Sequence, residues 1–193
     1  MKLRPQAILG APFGTAALVP GFKVAGVTLR ERADIACVLI TSAVEGADVA
    51  AMADLPLAAG AVRTAPGRTA LWLSPRSWLI QCRIDEELSL VARVNAAFRD
   101  KRVHAVPFTD ALCWFELSGP DARDCLTEGG FLSLEPGGLP VAHAKRTLIA
   151  AIAAVVLRPS ETAWLVGVER SRARYFADWL IGNSQVPPFK RLS

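Results

Sequence analysis

The residues that could do chemistry are few in this 193-residue sequence, and they stand far apart. Asp110 and Glu116 flank one predicted strand, where side chains six positions apart share a face but lie about 20 Å from each other. That separation is too large for the two carboxylates to act as a catalytic pair. His104 and His143 have no serine or cysteine partner in a turn typical of a nucleophile. We interpret the carboxylates as solvated surface groups and the histidines as surface or capping residues.

The positions of the four cysteines indicate buried core residues and not catalytic or metal-binding groups. Three of them fall among aliphatic residues on predicted strands or a helix face, a setting typical of core thiols. No Cys-x-x-Cys pair occurs, whereas a zinc site needs ligands at short paired spacings. We therefore predict no catalytic residue, no cofactor-binding residue and no metal ligand in this chain. The cysteines are Cys37, Cys82, Cys113 and Cys125.

One stretch, Ser118-Gly119-Pro120, follows a predicted strand and precedes a predicted helix. Its backbone N–H groups could face an anion at the helix N-terminus. The alternative is a tight strand-to-helix turn, which is favoured because Pro120 suits the first turn of a helix and Asp121 opposes the helix dipole. Gly-rich phosphate signatures are absent, since Gly129-Gly130 and Gly137-Gly138 mark a helix end and a loop.

The elements that position these residues follow a repeated order. Residues 111–117 alternate between two sets of side chains, which predicts a strand with one buried face that carries Cys113, Phe115 and Leu117. The first half reads as strand 35–41, helix 44–55, hairpin 69–82 turning at 74–77, and a helix from Asp85 with Leu88, Val91, Val94 and Phe98 inward. The second half reads as strand 111–117, helix 120–128, strands 144–157 and 162–168, and helix 171–181 ending at Gly182.

This order predicts an α+β fold built from two pseudo-repeated strand–helix–hairpin–helix halves that share a core. The sheets are expected to be antiparallel, with helices on one face. We expect an N-terminal arm over 1–23, one domain over 24–183 with pseudo-repeats at about 24–104 and 105–183, and a tail over 184–193. The aromatic residues expected in the core are Trp78, Phe115, Trp164, Phe176 and Trp179.

The net charge and the length of the apolar runs indicate which kinds of partner this chain can have. The net charge of +4 is compatible with an acidic partner, but the basic residues are scattered and form no stripe typical of nucleic-acid binding. The longest apolar run, 148–157, is about half of the roughly 20 residues that a membrane span needs. We therefore expect a cytoplasmic protein with no nucleic acid and no membrane among its partners.

Four stretches carry a resemblance to a known family. The chain resembles the gamma subunit of heterotetrameric sarcosine oxidases and, more broadly, the folate-binding fold of glycine-cleavage aminomethyltransferases, over about 24–182. The stretches are VTLRE at 27–31, ALWLSP at 70–75 with Trp78-Leu79, LSGPDAR at 117–123 and YFADWL at 175–180.

The resemblance implies a non-catalytic subunit of a flavoenzyme that oxidises the N-methyl group of sarcosine. It implies alpha, beta and delta subunits as partners. FAD, FMN, NAD and tetrahydrofolate would then be held by those partners, with no cofactor in this chain.

One departure bears on folate. Aminomethyltransferases place an acidic residue that handles the folate in the strand corresponding to 152–156, where this chain has Ala153 and Ala154. Alanine can neither accept a hydrogen bond from a pterin nor manage a proton. We therefore expect weak folate binding or none. The alternative function, from a different class, is a stand-alone folate- or anion-binding protein of one-carbon transfer.

Aromatic residues in the terminal arms are candidates for a partner interface. Phe13, Phe22 and Phe189 are large apolar anchors among prolines, which limit the entropy lost when an arm docks. Lys190 and Arg191 would meet acidic groups at the rim of that interface. Trp72, in the first hairpin, is a further candidate anchor. The alternative is that the arms pack on their own domain.

Overall fold

The computed structural model describes residues 21–24, 26–43, 54–99, 102–130 and 138–185. Within these ranges the strands are β1 (Gly21–Val24), β2 (Val27–Glu31), β3 (Ile35–Ser42), β4 (Val62–Ala65), β5 (Arg68–Ser74), β6 (Ser77–Arg83), β7 (Val103–Pro107), β8 (Leu112–Ser118), β9 (His143–Ile149), β10 (Ile152–Ser160) and β11 (Ala163–Glu169). The helices are α1 (Glu87–Ala97), α2 (Ala122–Glu128) and α3 (Arg170–Gln185), with 3-10 turns at Ile84–Glu86 and Thr109–Ala111.

The strands form two antiparallel sheets with matching topology. One sheet has the order β4-β5-β6-β3-β7, and the other has the order β1-β2-β8-β11-β10-β9. The first strand of each half pairs with the sheet of the other half. β2, at the start of the first half, pairs with β8, and β7, at the start of the second half, pairs with β3. The two halves therefore exchange their leading strands, which ties them into one α+β unit as the repeat predicts.

The core has a shared layer between the sheets and one outer layer beneath the helices of each half. α1 covers the five-stranded sheet through Leu90 and Val94, together with Phe98 directly after the helix. α2 and α3 cover the six-stranded sheet. The buried residues of the layer between the sheets are Cys37, Leu71, Leu79, Trp114, Ala144, Val155, Leu157 and Leu165. Each sheet thus carries helices on one face and meets the other sheet on its second face, which confirms the predicted shared core.

The aromatic residues expected in the core lie there. Trp78, Phe115, Trp164 and Phe176 are at most 3% exposed. Trp179 is half-buried and stacks on Phe176, with ring centroids 5.7 Å apart. Aromatic packing therefore anchors both halves of the fold, as the sequence predicts.

The strand predicted at 111–117 is buried on both faces instead of one. Cys113, Phe115 and Leu117 face the helices, as predicted. Trp114 points the other way and is only 2% exposed, because the five-stranded sheet covers that face. The structure confirms the alternation, whereas the prediction of a single buried face is wrong.

The strand predicted at 144–157 is two strands. β9 and β10 pair from Ile149 with Ile152 onward, so their hairpin has a two-residue loop, Ala150-Ala151. Both loop residues have positive φ, 51° and 61°, as a type I′ turn requires. Asn-Gly is the usual signal for this turn, and its absence from the sequence explains why the two strands were predicted as one.

We expect the double variant Ala150→Asn/Ala151→Gly to be more stable than the parent by about 1–3 kcal/mol. Left-handed backbone costs alanine roughly 1–2 kcal/mol per residue, whereas asparagine and glycine adopt it readily. Glycine at position 151 lowers this stabilisation by about 0.5–1 kcal/mol, because the unfolded chain gains conformational entropy. Urea unfolding measures the difference. Ala153→Gly, on an exposed position of β10, is the control and should lower stability. A double variant that is less stable than the parent would show that the positive φ of Ala150 and Ala151 does not strain the native state.

The helix ends differ from the sequence expectation at several positions. Leu88, predicted to face inward, is 63% exposed, because the buried positions of α1 are Leu90 and Val94, followed by Phe98 directly after the helix. Asp85, the predicted N-cap, lies in a 3-10 turn ahead of α1, which begins at Glu87.

The last helix also departs from its expected end. α3 continues through Gly182, the predicted C-cap, to Gln185. Most of the helix predicted at 44–55 lies outside the described residues. Within the described ranges, no helix is long and apolar enough to cross a membrane.

Candidate functional site

The carboxylate of Glu116 is held in an ion pair. Arg32, in the loop between β2 and β3, donates to Glu116 across 2.6 Å and to both carboxylate oxygens of Asp34 at 2.8 Å. The hydrogen bond from Arg32 lowers the pKa of Asp34. Asp110 lies apart from this network in the 3-10 turn before β8. The structure therefore gives Glu116 a structural role that its place in the sequence did not reveal.

The thiols are poor nucleophiles. All four cysteines are buried, as predicted. Burial raises the pKa of Cys37 to about 12 and the pKa values of Cys82 and Cys113 to about 11. These three thiols are protonated at neutral pH, and the thiolate is the reactive form. Cys37 instead accepts a hydrogen bond from the Trp114 indole across 3.2 Å, in the layer between the sheets.

The stretch Ser118-Gly119-Pro120 is a tight strand-to-helix turn. The Gly119 N–H donates to the Thr162 carbonyl at 3.2 Å, and the Asp121 N–H donates to the Gly26 carbonyl at 3.4 Å. α2, which follows, has seven residues. Two of the N–H groups that an anion would need are therefore already bonded within the fold, which favours the turn over the anion site.

The two histidines lie in different sheets. His104 is exposed on β7, and His143 opens β9, where its Nδ1 lies 3.0 Å from the Val141 carbonyl. Within the described residues, no group of three or more histidine, cysteine, aspartate or glutamate residues could hold a metal ion.

The alanine pair at 153–154 lies on β10. Ala154 is 5% exposed and belongs to the core beneath α2 and α3, whereas Ala153 is exposed. A carboxylate at the Ala154 position would be buried among apolar side chains, which is unfavourable without a partner. The two alanines therefore fit a packed strand.

Glu87 anchors a polar network that the sequence does not predict. Its Oε1 accepts hydrogen bonds from the Thr109 hydroxyl at 2.5 Å and from the backbone N–H groups of Phe108 and Thr109 at 3.2 Å. The Thr109 hydroxyl in turn accepts from the Cys37 N–H at 2.9 Å. This network fixes the loop after β7 against the start of α1. The partners lie more than 20 positions apart, so no local pattern could have found it.

An end groove of about 490 Å³ lies between the sheets at the Arg32 side. Gln81 lines it and is 8% exposed, yet its amide nitrogen has no acceptor among the described residues. Arg68 also lines this groove, and its buried Nε likewise has no hydrogen-bond acceptor among the described residues. A polar molecule held here would have to offer a hydrogen-bond acceptor, such as a carbonyl or carboxylate oxygen.

A second groove, the corner groove, has a volume of about 400 Å³ and lies where β5 meets β9. Ala61 bridges to His143, and the Ala144 N–H donates to the Gly60 carbonyl at 3.0 Å, so the two sheets are joined at this corner. The groove is lined by Ala59, Gly60, Trp72, Leu73, Gly138, Leu139, Pro140, His143, Ala144, Lys145 and Arg146.

Of the predicted interface residues, Trp72 is placed at a site that a partner could reach. It is half-buried and lines the corner groove. Phe22 lies on β1, and its side chain is outside the described part of the structure. Phe13, Phe189, Lys190 and Arg191 also fall outside the described ranges, so their predicted role remains a prediction.

The fold is similar to that of part of an aminomethyltransferase. The chain superposes on the glycine cleavage system aminomethyltransferase T from Bartonella henselae with a TM-score of 0.66 and 13% identity. The match covers 85% of this chain and 48% of that protein, so this chain spans about half its length. At this level of identity the likeness concerns the fold alone.

The particular family follows from the sequence itself. Residues 32–185 match the model of the sarcosine oxidase, gamma subunit family (SoxG), and the chain belongs to that family. A chain of the heterotetrameric sarcosine oxidase from Corynebacterium sp. U-96, solved in complex with pyrrole 2-carboxylate, matches with a TM-score of 0.75 and 26% identity, over 83% of this chain and 86% of that chain. No curated protein matches the sequence.

Proposed function

We propose that this chain is the non-catalytic gamma subunit of a heterotetrameric, flavin-dependent sarcosine oxidase and that it serves assembly in the cytoplasmic breakdown of sarcosine. The observation that carries the proposal is the family match across 32–185. In this assignment alpha, beta and delta subunits are the partners. They hold FAD, FMN, NAD and tetrahydrofolate and carry out the oxidation of the N-methyl group.

The side chains of this chain support a structural role. Cys37 is buried beneath Trp114 with a raised pKa, and Glu116 is neutralised by Arg32. Groups held in such contacts position strands and are poorly suited to proton transfer or nucleophilic attack. The chain contributes a rigid double sheet whose surface can dock on other subunits.

The terminal arms extend this proposal. Residues 1–23 and 184–193 would flank a single domain and lie along the larger subunits, with Phe13, Phe22 and Phe189 supplying buried area. Trp72 would anchor the folded part of the same interface.

A second candidate function is a stand-alone folate- or anion-binding protein. The likeness to an aminomethyltransferase and the unpaired Gln81 amide nitrogen in the end groove favour it. Ala153 and Ala154 argue against it, because neither supplies the acidic group that handles folate in aminomethyltransferases.

Co-expression tests the first proposal. The full chain, carrying an affinity tag, is co-expressed with the three partner subunits of the complex from the same organism. We expect one complex that retains all four chains on size-exclusion chromatography and shows flavin absorbance, whereas the full chain purified alone shows none. The proposal is wrong if the chain elutes alone. Tetrahydrofolate binding by the single chain with a micromolar dissociation constant, about −8 kcal/mol, would instead favour the second candidate.

A further inference from the structure

We propose that residues 14–20 of this chain lie in the end groove and close the layer between the sheets, with a backbone carbonyl of the segment accepting a hydrogen bond from Gln81. The inference concerns a contact within the chain and so goes beyond the proposed role in assembly. It leaves residues 1–13, which include Phe13, to lie along the larger subunits.

Gln81 gives the groove a donor without an acceptor. The residue is 8% exposed, and its amide nitrogen has no hydrogen-bond partner among the described residues. A buried donor that is left unpaired destabilises a fold, and an apolar side chain at the same position would avoid that cost. A glutamine here therefore fits a groove in which an acceptor, such as a backbone carbonyl, is supplied.

The charges around the groove favour a neutral occupant. Every arginine of the described lining already contacts a carboxylate: Arg32 contacts Asp34 and Glu116, Arg68 contacts Glu86, and Arg83 contacts Asp85. The two acidic residues of the lining are both partners of Arg32. A charged occupant would compete with these ion pairs, whereas an uncharged segment leaves them intact.

Residues 14–20, with the sequence GTAALVP, carry no charged side chain. Residues 1–13 include two basic residues near their start. The other stretches of two or more residues outside the described ranges all contain charged residues; they are 44–53, 100–101, 131–137 and 186–193. By charge, the segment directly before β1 therefore suits the groove better than the rest of the undescribed chain.

The sheet register places the start of β1 beside the groove. The paired positions form one row across the sheet, in the order Gly21, Arg30, Glu116, Leu165 and Leu157, and the last three line the groove. Neighbouring strands lie about 4.8 Å apart, so Gly21 is about 10 Å from Glu116 and about 19 Å from Leu157. The seven residues before Gly21 span up to about 23 Å when extended, which is enough to cross the row.

The walls of the groove offer apolar contact to this segment. Leu157 and Leu165 belong to the layer between the sheets and also line the groove. Leu18 and Val19 would extend that layer to its open end. Because the segment is joined to β1, its docking is intramolecular, with an effective concentration of about millimolar, which favours it over a separate chain of the same composition. The Gln81 amide would then be satisfied within the chain and would no longer favour a stand-alone binding function.

Hydrogen exchange of the full chain, purified alone, tests the inference. We expect the amides of residues 15–19 to exchange at least tenfold more slowly than in an unstructured peptide of the same sequence. Ala163→Arg, at a half-buried lining position, places a long charged side chain in the groove and should speed their exchange at least tenfold. Thr162→Arg, at the exposed neighbouring position outside the lining, is the control and should stay within about twofold of wild type.

The exchange results can overturn the inference in two ways. Unprotected amides at 15–19 in the wild type would show that the segment is not docked. Protection that survives Ala163→Arg would show that the segment is held somewhere other than the end groove. Slow exchange of the β8 amides in the same experiment shows that the variant is folded.

Photo-crosslinking gives an independent answer that does not depend on the folding of Ala163→Arg. A p-benzoylphenylalanine at Ser160, an exposed lining residue, should crosslink to residues 14–20 within the same chain. The same group at Ala92, exposed on α1 outside the groove, should not. Crosslinks from Ser160 to another segment, or to a partner subunit in the co-expressed complex, would overturn the inference. Both measurements use the single chain first, so a failure of assembly would overturn the proposed function alone.

Discussion

Replacing Gly119 with alanine is expected to lower the free energy of unfolding by about 3 kcal/mol or more. Gly119 has a φ of +112°, a conformation that residues with a Cβ rarely adopt. A Cβ added there would lie 2.0 Å from the Gly26 carbonyl oxygen, and the contact is to backbone that cannot rotate away. Strain and collision therefore act together at this position.

Gly130→Ala is the matched control. Gly130 also has positive φ, +83°, but no atom of the described residues lies within 4 Å of an added Cβ. This variant should lose only about 1 kcal/mol, the cost of the backbone conformation. Urea unfolding of both variants separates the two effects, and equal losses would show that the close approach of Gly119 to Gly26 is not a constraint.

The close approach explains what the LSGPDAR stretch does in the fold. The turn after β8 and the turn between β1 and β2 touch backbone to backbone, with Asp121 donating to Gly26. Through this contact the exchanged strand β2 is fixed at the start of α2. The LSGPDAR stretch therefore contributes to backbone packing, so its similarity to other proteins indicates a shared fold more directly than a shared ligand.

Local periodicity was sufficient for most of the elements and for the fold class, although it did not predict β4 or β7. The hairpin at 69–82 has a proline-containing turn and alternating apolar side chains, and it forms as β5 and β6. The exchange of β2 and β7 was not predictable, because pairing between distant strands leaves no local pattern. The same reason explains Trp114, whose burial depends on a sheet formed from other residues.

The candidate site was predictable only in part. The residue type of Trp72 predicts an interface anchor, whereas Lys145 and Arg146 count among the basic residues predicted to be scattered over the surface. Their placement around one groove depends on the bridge between Ala61 and His143, 82 positions apart. The ion pair between Arg32 and Glu116 joins residues 84 apart and was missed for the same reason.

Trp114→Ala is expected to cost about 3–5 kcal/mol of stability and to expose Cys37. Trp114 is 2% exposed at the centre of the layer between the sheets, and an added Cβ on Gly167 would lie 2.8 Å from its ring. Deleting the indole leaves a cavity directly beside the Cys37 thiol, to which it donates at 3.2 Å. Burial raises the pKa of Cys37 more than the Trp114 hydrogen bond lowers it, so the admission of water should outweigh the loss of that hydrogen bond, lower the pKa and speed thiol labelling.

Phe115→Ala provides the control, because Phe115 is its neighbour on β8 but faces the helices and is fully buried. Both variants should lose similar stability in urea unfolding, about 3–5 kcal/mol. Labelling with a thiol reagent under native conditions, mapped by mass spectrometry, should modify Cys37 faster in Trp114→Ala than in Phe115→Ala. Equal labelling in the two variants would show that Cys37 reacts only through global unfolding. In that case the indole would stabilise the layer between the sheets without shielding the thiol locally.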